Sequence, residues 1–280
     1  KIYILNPMNN KDITVILLLF NTPEKLINNL KVYRSLDTVI LDQSNDYKFK
    51  SKAKSILKNI KYYKVTKVNK GFAKGINQLL KKVRTKYFLC TQPDVTISKN
   101  SILELKRAYL KNKKCFLTVP NMKNNINKKF KGKEYFKQTE NFYGTIFFSS
   151  KKKFADIGMF DENFFFYWED VDLAKRIIKS GQKIIISKKA IAKHLGGKSS
   201  RTGIKNLFIR EVNFKFGEYL FQHKNNKLKK FKIVRQFFNL IIYSIFNLLI
   251  FDKTNFLKNF FKVFGIMKFI VFISIYAKKN

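Results

Sequence analysis

Apolar positions along this chain come first in short unbroken runs. Thr14–Phe20 (TVILLLF) is almost wholly apolar and stops at Asn21-Thr22-Pro23. A run of that length without alternation predicts a strand covered on both faces, as in parallel sheets. Thr38–Asp42 (TVILD) repeats the pattern and is followed by Gln43-Ser44-Asn45. Tyr87–Thr91 (YFLCT) repeats it again and stops at Gln92-Pro93-Asp94. Between these runs, Pro23-Glu24 predicts a helix start, Pro being tolerated in a first turn. Residues 50–57 predict a helix and 60–64 a further strand. The stretch NKGFAKGIN (69–77) predicts a glycine turn leading into a helix that ends near Val83.

Beyond a polar, Lys/Asn-rich loop at 123–133, residues 143–149 predict another strand and 151–157 a short helix closed by Gly158. Val171, Leu173, Ala174, Ile177 and Ile178 form a helical stripe over 169–179, ended by Ser180-Gly181. Residues 183–186 predict a strand and 190–194 a separate extended piece. Strands alternating with helices over the first 120 residues predict an α/β fold, a mainly parallel sheet with helices on both faces. Ligands of such sheets sit beyond the carboxyl ends of the strands. Asn21, Asp42 and Asp94 all fall at such ends. Singly each reads as a turn residue or cap; three at one edge point to a polar ligand.

From about Lys230 the texture changes. Residues 233–251 and 256–276 are largely apolar, interrupted by Arg235, Gln236, Asn239, Ser244 and Asn247, and by Lys258, Lys262 and Lys268. A membrane-spanning helix needs about 20 mostly apolar residues. The interruptions place interfacial or re-entrant amphipathic helices first, a true span second and a soluble helical cap third. The expected division is therefore an α/β domain over 1–225 and a membrane-associating helical tail over 226–280. Lys278-Lys279 would lie on the cytoplasmic side.

Charge changes the picture of partners. The 280 residues carry 58 Lys+Arg against 18 Asp+Glu, a formal net charge of +40. Only seven of the basic residues are Arg, and the Lys are spread throughout. Arg is the residue suited to planar recognition of bases and phosphates, so no nucleic-acid partner is expected. An anionic membrane surface is expected instead, because each basic residue near it contributes about 1 kcal/mol. Hydrophobic residues make up 45% of the chain, enough for a folded core. Cys90 and Cys115 form no CxxC pair, which excludes a disulfide framework or zinc cluster and fits a reducing compartment. The first residues, KIYILNPMNNK, carry no secretory signal pattern. Against this basic background, GMFDENFFFYWEDVDL (158–173) gathers Asp161, Glu162, Glu169, Asp170 and Asp172 around the only Trp.

The ordered set TVILLLFNT (14–22), VILDQSN (39–45), NKGFAKGIN (69–77), CTQPDV (90–95), GMFDENFFFYWEDVDLAKRI (158–177) and AKHLGGKSS (192–200) resembles glycosyltransferase family 2. The similar branch includes bacterial rhamnosyltransferases and galactofuranosyl-like transferases of surface polysaccharide synthesis. The resemblance covers about residues 12–200. It implies a GT-A fold, a Rossmann-like nucleotide-binding domain whose second half builds the acceptor site. The implied reaction is inverting transfer of a sugar from a UDP-, dTDP- or GDP-linked donor to a lipid-linked or glycan acceptor. The implied place is the cytoplasmic face of a membrane.

Residue by residue, the resemblance gives donor binding to Asn21, Asp42, Asn69, Gly71, Gly75, Asn77, Gln92 and Asp94. Asp94 matches the last acid of the family's DxD motif, and Gln92 stands where the first acid would be. Asp94 and His194 match the ligands of a divalent metal, Mn or Mg, which offsets the charge of the departing diphosphate. The catalytic base falls in the pair Glu169-Asp170: Asp170 first, Glu169 as alternate. Acids at a helix start are also favoured as caps. Asp172 supports the helix start or bonds Arg176 four positions on. Asp161, Tyr167 and Trp168 match the acceptor side, where aromatic faces stack on sugars. The competing reading is a non-catalytic basic protein, on a degenerate transferase fold, that binds membrane or nucleic acid.

Overall fold

The computed structural model describes residues 10–45, 47–122, 135–196 and 203–277. The loop expected at 123–133, the first nine residues and Lys278-Lys279 lie outside them. The chain divides into two compact units, one of Lys1–Asp161 with Asp170–Arg201, the other of Glu162–Glu169 with Thr202–Asn280.

The first unit is built on one nine-stranded sheet. Its strands are β1 (Ile13–Leu19), β2 (Asp37–Asp42), β3 (Ile60–Val65), β4 (Tyr87–Thr91), β5 (Val95–Ile97), β6 (Cys115–Met122), β7 (Phe136–Thr139), β8 (Phe147–Ser150) and β9 (Lys183–His194). Helices α1 (Lys48–Ile56), α2 (Phe72–Leu80), α3 (Lys99–Lys111), α4 (Lys151–Asp156) and α5 (Glu169–Lys179) connect them. The order is β3-β2-β1-β4-β8-β6-β9-β5, with β7 also on β9. β3, β2, β1 and β4 run parallel. β8 is antiparallel to β4 and β6, while β6 and β9 are parallel. The unbroken apolar runs occupy the parallel half. β1 is buried at every position but Leu18, which is partly buried. Ile13, Leu17, Leu30, Tyr33, Leu89 and Phe148 belong to its main core.

Several elements depart from the pattern-based expectation. Glu24–Tyr33 is a 3-10 helix rather than an α-helix. The strand expected from 143 begins only at Phe147, because Gly144 turns to donate its N–H to Asp170. The two pieces expected at 183–186 and 190–194 are one twelve-residue strand, β9. Its polar middle, Ser187-Lys188-Lys189, stays extended because β9 has partners along its length: β6 and β7 first, then β6 and β5. A register shift at Pro120/Asn121 absorbs the break.

The second unit contains α6 (Ile204–Lys224), α7 (Lys230–Leu249) and α8 (Lys253–Ala277). The last two match the apolar segments read from the sequence. Phe164, Phe216, Tyr219, Leu220, Ile266 and Phe269 form its core. Gly265 lets α8 approach α6 closely: a Cβ there would lie 2.6 Å from the Val212 carbonyl oxygen. Among the described residues no helix is long and apolar enough to cross a membrane, so the second-ranked expectation, a true span, has no helix to carry it.

Candidate functional site

β1 pairs in parallel with both β2 and β4, so the ends of all three strands share one edge. Asn21, Asp42 and Asp94 stand there. Asn21 adopts a left-handed backbone (φ 47°) and donates its N–H to Ser44 Oγ at 2.7 Å. Ser44 in turn donates its own N–H (3.0 Å) and its hydroxyl to Asp42 Oδ1. Tyr63 donates its hydroxyl to Asp42 Oδ2 at 3.3 Å. The buried Asp42 carboxylate is thus fixed in orientation before any ligand arrives.

Gln43 ties the next loop to this edge. Its Oε1 accepts the Lys70 N–H at 2.7 Å and its Nε2 donates to the Gly71 carbonyl at 3.2 Å. Asn69 Oδ1 accepts the Gly71 N–H at 2.9 Å. Gly71 has φ 85°, a region that strains any residue with a Cβ. Two other residues of the motif are engaged inside the fold. A Cβ on Gly75 would lie 2.6 Å from Leu18 Cδ1, so the bare backbone lets α2 pack on β1. Asn77 is buried, donates to the Phe160 carbonyl (2.8 Å) and accepts the Phe160 N–H (3.1 Å).

Asp94 is fully buried three residues past the end of β4. Antiparallel pairing of β5 with β9 sets Val95 opposite His194. His194 Nε2 then lies 3.1 Å from Asp94 Oδ2, and the Leu195 N–H donates to the Asp94 carbonyl at 3.0 Å. Asp94 Oδ1 is buried with no hydrogen-bond partner among the described residues. Burying such an oxygen without a partner is costly. A hard carboxylate oxygen beside an imidazole is a donor set that suits Mn2+ better than Mg2+, which favours oxygen ligands alone. Among the described residues no group of three or more His, Cys, Asp or Glu is placed to hold a metal ion. Gln92 is partly buried and its carbonyl accepts the Val95 N–H.

Asp170 opens α5 in the first unit. Its Oδ2 accepts the Gly144 N–H at 3.0 Å and its Oδ1 accepts the Val171 N–H at 2.9 Å. Burial raises the carboxyl above the ordinary range, and these N–H donors pull part of the way back. A Cβ on Gly144 would lie 3.3 Å from the Phe72 ring and 3.7 Å from Asp170 Cβ. The turn at 144 is therefore held between the starts of α2 and α5. Asp172 pairs with Arg176 Nε at 2.9 Å, as the four-residue spacing expects. Arg176 also donates to the carbonyls of Ile157 and Met159, both at 2.7 Å, locking the 157–159 turn onto α5. Asp161, partly buried, follows the Phe160 backbone that Asn77 holds.

Glu169, Tyr167 and Trp168 fall in the second unit. Glu169 is buried. Tyr167 and Trp168 are consecutive left-handed residues, φ 70° and 73°. Bulky residues rarely hold that conformation without a surrounding structure that imposes it. α6 imposes it. Arg210 Nε donates to the Tyr167 hydroxyl at 3.1 Å, and the Trp168 ring packs on Phe214 and Phe221. A Cβ on Gly217 would lie 2.9 Å from Trp168 Cδ1 and 3.1 Å from the Tyr167 carbonyl oxygen.

Four contributors escape a motif reading. Ser44 has a local signal, since Asp followed two residues later by a donor is an Asx-turn. Arg176 has one for its pair with Asp172, the four-residue spacing, but none for its bonds to the 157–159 turn; Tyr63 and Gly144 have none, because their partners lie at distances set by the sheet or by the turn.

The sequence profile of Glycosyl transferase family 2 matches residues 14–176. No curated protein matches the chain. Similar in structure are the mannosyltransferase PcManGT from Pyrobaculum calidifontis in complex with GDP-Man and Mn2+ (TM-score 0.59, 15% identity, 80% of this chain and 67% of that chain); GalNAc-T7 with UDP, GalNAc and Mn2+ (TM-score 0.56, 12% identity, 75% and 50%); and S. aureus TarS 1-349 (TM-score 0.53, 16% identity, 92% and 91%). The aligned region takes in half of the GalNAc-T7 chain. At these identities the likeness is one of fold. With its profile match running from the first strand into α5, the chain belongs to glycosyltransferase family 2.

Proposed function

We propose that the protein transfers a sugar, with inversion, from a nucleotide-diphosphate donor to a lipid-linked or polysaccharide acceptor at the cytoplasmic face of a membrane. The observation that carries the reading is the shared strand edge bearing Asn21, Asp42 and the incompletely bonded Asp94. Asp42 accepts hydrogen bonds from the base or ribose. Asn69 and Gly71 shape the loop that approaches the donor, with Gln92 beside it, while the buried Asn77 acts through the Phe160 backbone that it holds. Asp94 and His194 would hold a divalent cation, which supplies positive charge to the diphosphate as it departs. The neighbours PcManGT and GalNAc-T7 were determined with Mn2+ and a GDP- or UDP-type ligand, which supports this donor class.

Asp170 is the base. It takes the proton from the acceptor hydroxyl; that oxygen attacks the anomeric carbon from the face opposite the diphosphate. The bond from the anomeric carbon to the diphosphate oxygen breaks, and its electron pair leaves with the diphosphate. A carboxyl raised by burial suits proton removal near neutral pH. The backbone N–H donors from Gly144 and Val171 orient it. Glu169 is the alternate base, and Asp161, Tyr167 and Trp168 belong to the acceptor side. The branch resemblance makes dTDP-rhamnose the first donor to try.

Titration calorimetry of the detergent-solubilised full chain with UDP, dTDP and GDP, with and without Mn2+, tests the reading. Metal-dependent binding of one nucleotide, lost in Asp94→Ala, is expected. A folded protein that binds none of the three overturns the reading and leaves the non-catalytic basic protein.

A further inference from the structure

The second unit distributes its polar and apolar side chains unusually. Lys215 is buried, and its ammonium donates to Glu218 Oε2 (2.9 Å) and Gln236 Oε1 (2.8 Å). The Tyr219 hydroxyl donates to the same Gln236 oxygen at 2.6 Å. Asn213 and Ser244 are buried as well. On the outside, α7 exposes Phe231, Val234, Phe238, Ile242, Ile245 and Leu249, spaced three or four apart along one face. α8 exposes Phe260, Phe264, Met267, Val271 and Ile275 in the same way. Two helices with full apolar stripes facing outward exceed the scattered exposed apolar residues normal on a soluble surface.

The turn between them sharpens the point. α7 ends in a Schellman geometry, with the Phe251 N–H on the Leu248 carbonyl (3.1 Å) and the Asp252 N–H on the Asn247 carbonyl (2.9 Å). The position that must be left-handed in this geometry is ordinarily Gly. Here it is Phe251, at φ 60° and 93% exposed. Asp252 then accepts the Asn255 N–H at 3.0 Å and starts α8. The chain places a strained, solvent-facing aromatic at the tip, after Leu248, Leu249 and Ile250, all exposed. Folding of the hairpin gives no reason for that choice.

We propose that the α7–α8 hairpin is a membrane-docking element that lies in the interface of an anionic bilayer, with the Leu248–Phe251 tip inserted below the headgroups. Charge selects this occupant. Between residues 224 and 277 the sequence has ten Lys or Arg and one acid, Asp252. Lys253 follows the tip directly, while Lys227, Lys229, Lys230, Lys232 and Arg235 cluster at the far end. Such a surface is attracted to anionic headgroups and repelled by a second copy of a chain carrying +40. Neither helix spans, which matches attachment from one side. The inference deepens the membrane placement proposed above but needs neither donor nor reaction, so a chain that bound vesicles and no nucleotide would keep it.

The test is flotation of the full chain with vesicles of phosphatidylcholine alone or containing phosphatidylglycerol, with sedimentation velocity in parallel. The wild-type chain is expected to float with the anionic vesicles. The double variant Leu249→Gln/Phe251→Gly should bind them about tenfold or more weakly, having lost two large inserted side chains. Gly suits the left-handed position, so the same variant should not fall in denaturation midpoint, which separates lost docking from lost folding. Three results overturn the proposal: no flotation of folded wild-type chain, undiminished flotation of the variant, or self-association abolished by the variant in a chain that ignores vesicles.

Discussion

Asp170 and Asp94 are the residues at which the chemistry is most directly testable. Asp170→Asn should lower turnover by about 10²–10⁴-fold, the range for losing a general base, with nucleotide affinity unchanged by calorimetry. The acid limb of the pH–rate profile should lie above the ordinary Asp range, because burial raises this carboxyl. The sign for stability is the reverse of a salt-bridged acid. The folded state binds the proton more tightly than the unfolded state, so this group's contribution is full at low pH. It declines as pH rises from the ordinary Asp value through the raised one. Denaturation midpoints of wild type and Asp170→Asn measured across that interval should therefore diverge in the variant's favour with rising pH. Asp94→Ala leaves His194 without its carboxylate partner and should remove the metal dependence of donor binding. Retention of Mn2+-dependent binding in that variant would take Asp94 out of the metal site. Sequence alone put both acids at element ends, one past a strand and one at a helix start. It carried no sign of Gly144, 26 positions before its partner, or of the buried Asp94 oxygen that has no hydrogen-bond partner among the described residues.

At the scale of elements, glycines set the closest approaches. Gly265→Ala would force a methyl to within 2.6 Å of the Val212 carbonyl oxygen and 2.7 Å of Lys215 Cβ. Backbone cannot yield as a side-chain tip can, so a loss of about 1–3 kcal/mol is expected from chemical denaturation. Gly75→Ala meets only the methyl end of Leu18 and should cost less. β1, β2 and β4 of the parallel half were legible because burial on both faces leaves mostly apolar residues to write them. β5, β7 and α6 were not. β5 and β7 owe their extended form to pairing with β9 rather than to their own three or four residues. α6 mixes polar and apolar residues around its circumference, because both Lys215 and Phe216 are buried on it.

For the whole molecule, the net charge of +40 is the dominant long-range term. Like charges repel in the compact state more than in the unfolded chain, and salt screens them over about 10 Å at 0.1 M. Raising NaCl from low millimolar to a few hundred millimolar should therefore raise the thermal midpoint by a few degrees. A midpoint that falls with salt would mean that specific ion pairs outweigh the repulsion. Binding to anionic vesicles should weaken over the same salt range, since that attraction is screened by the same ions.

The sequence by itself determined the α/β alternation, the strand edge that carries Asn21, Asp42 and Asp94, the acidic pair at the start of α5 and the family. These follow from local spacing, burial pattern and turn chemistry, which each segment writes for itself. Tertiary structure decided which polar groups meet: Ser44 with Asn21 and Asp42, His194 with Asp94, Gly144 with Asp170, Asn77 with Phe160. It also decided which faces of the last two helices stay outside. Partners brought together by sheet register and helix packing lie tens of residues apart, and no local pattern records where another segment will arrive.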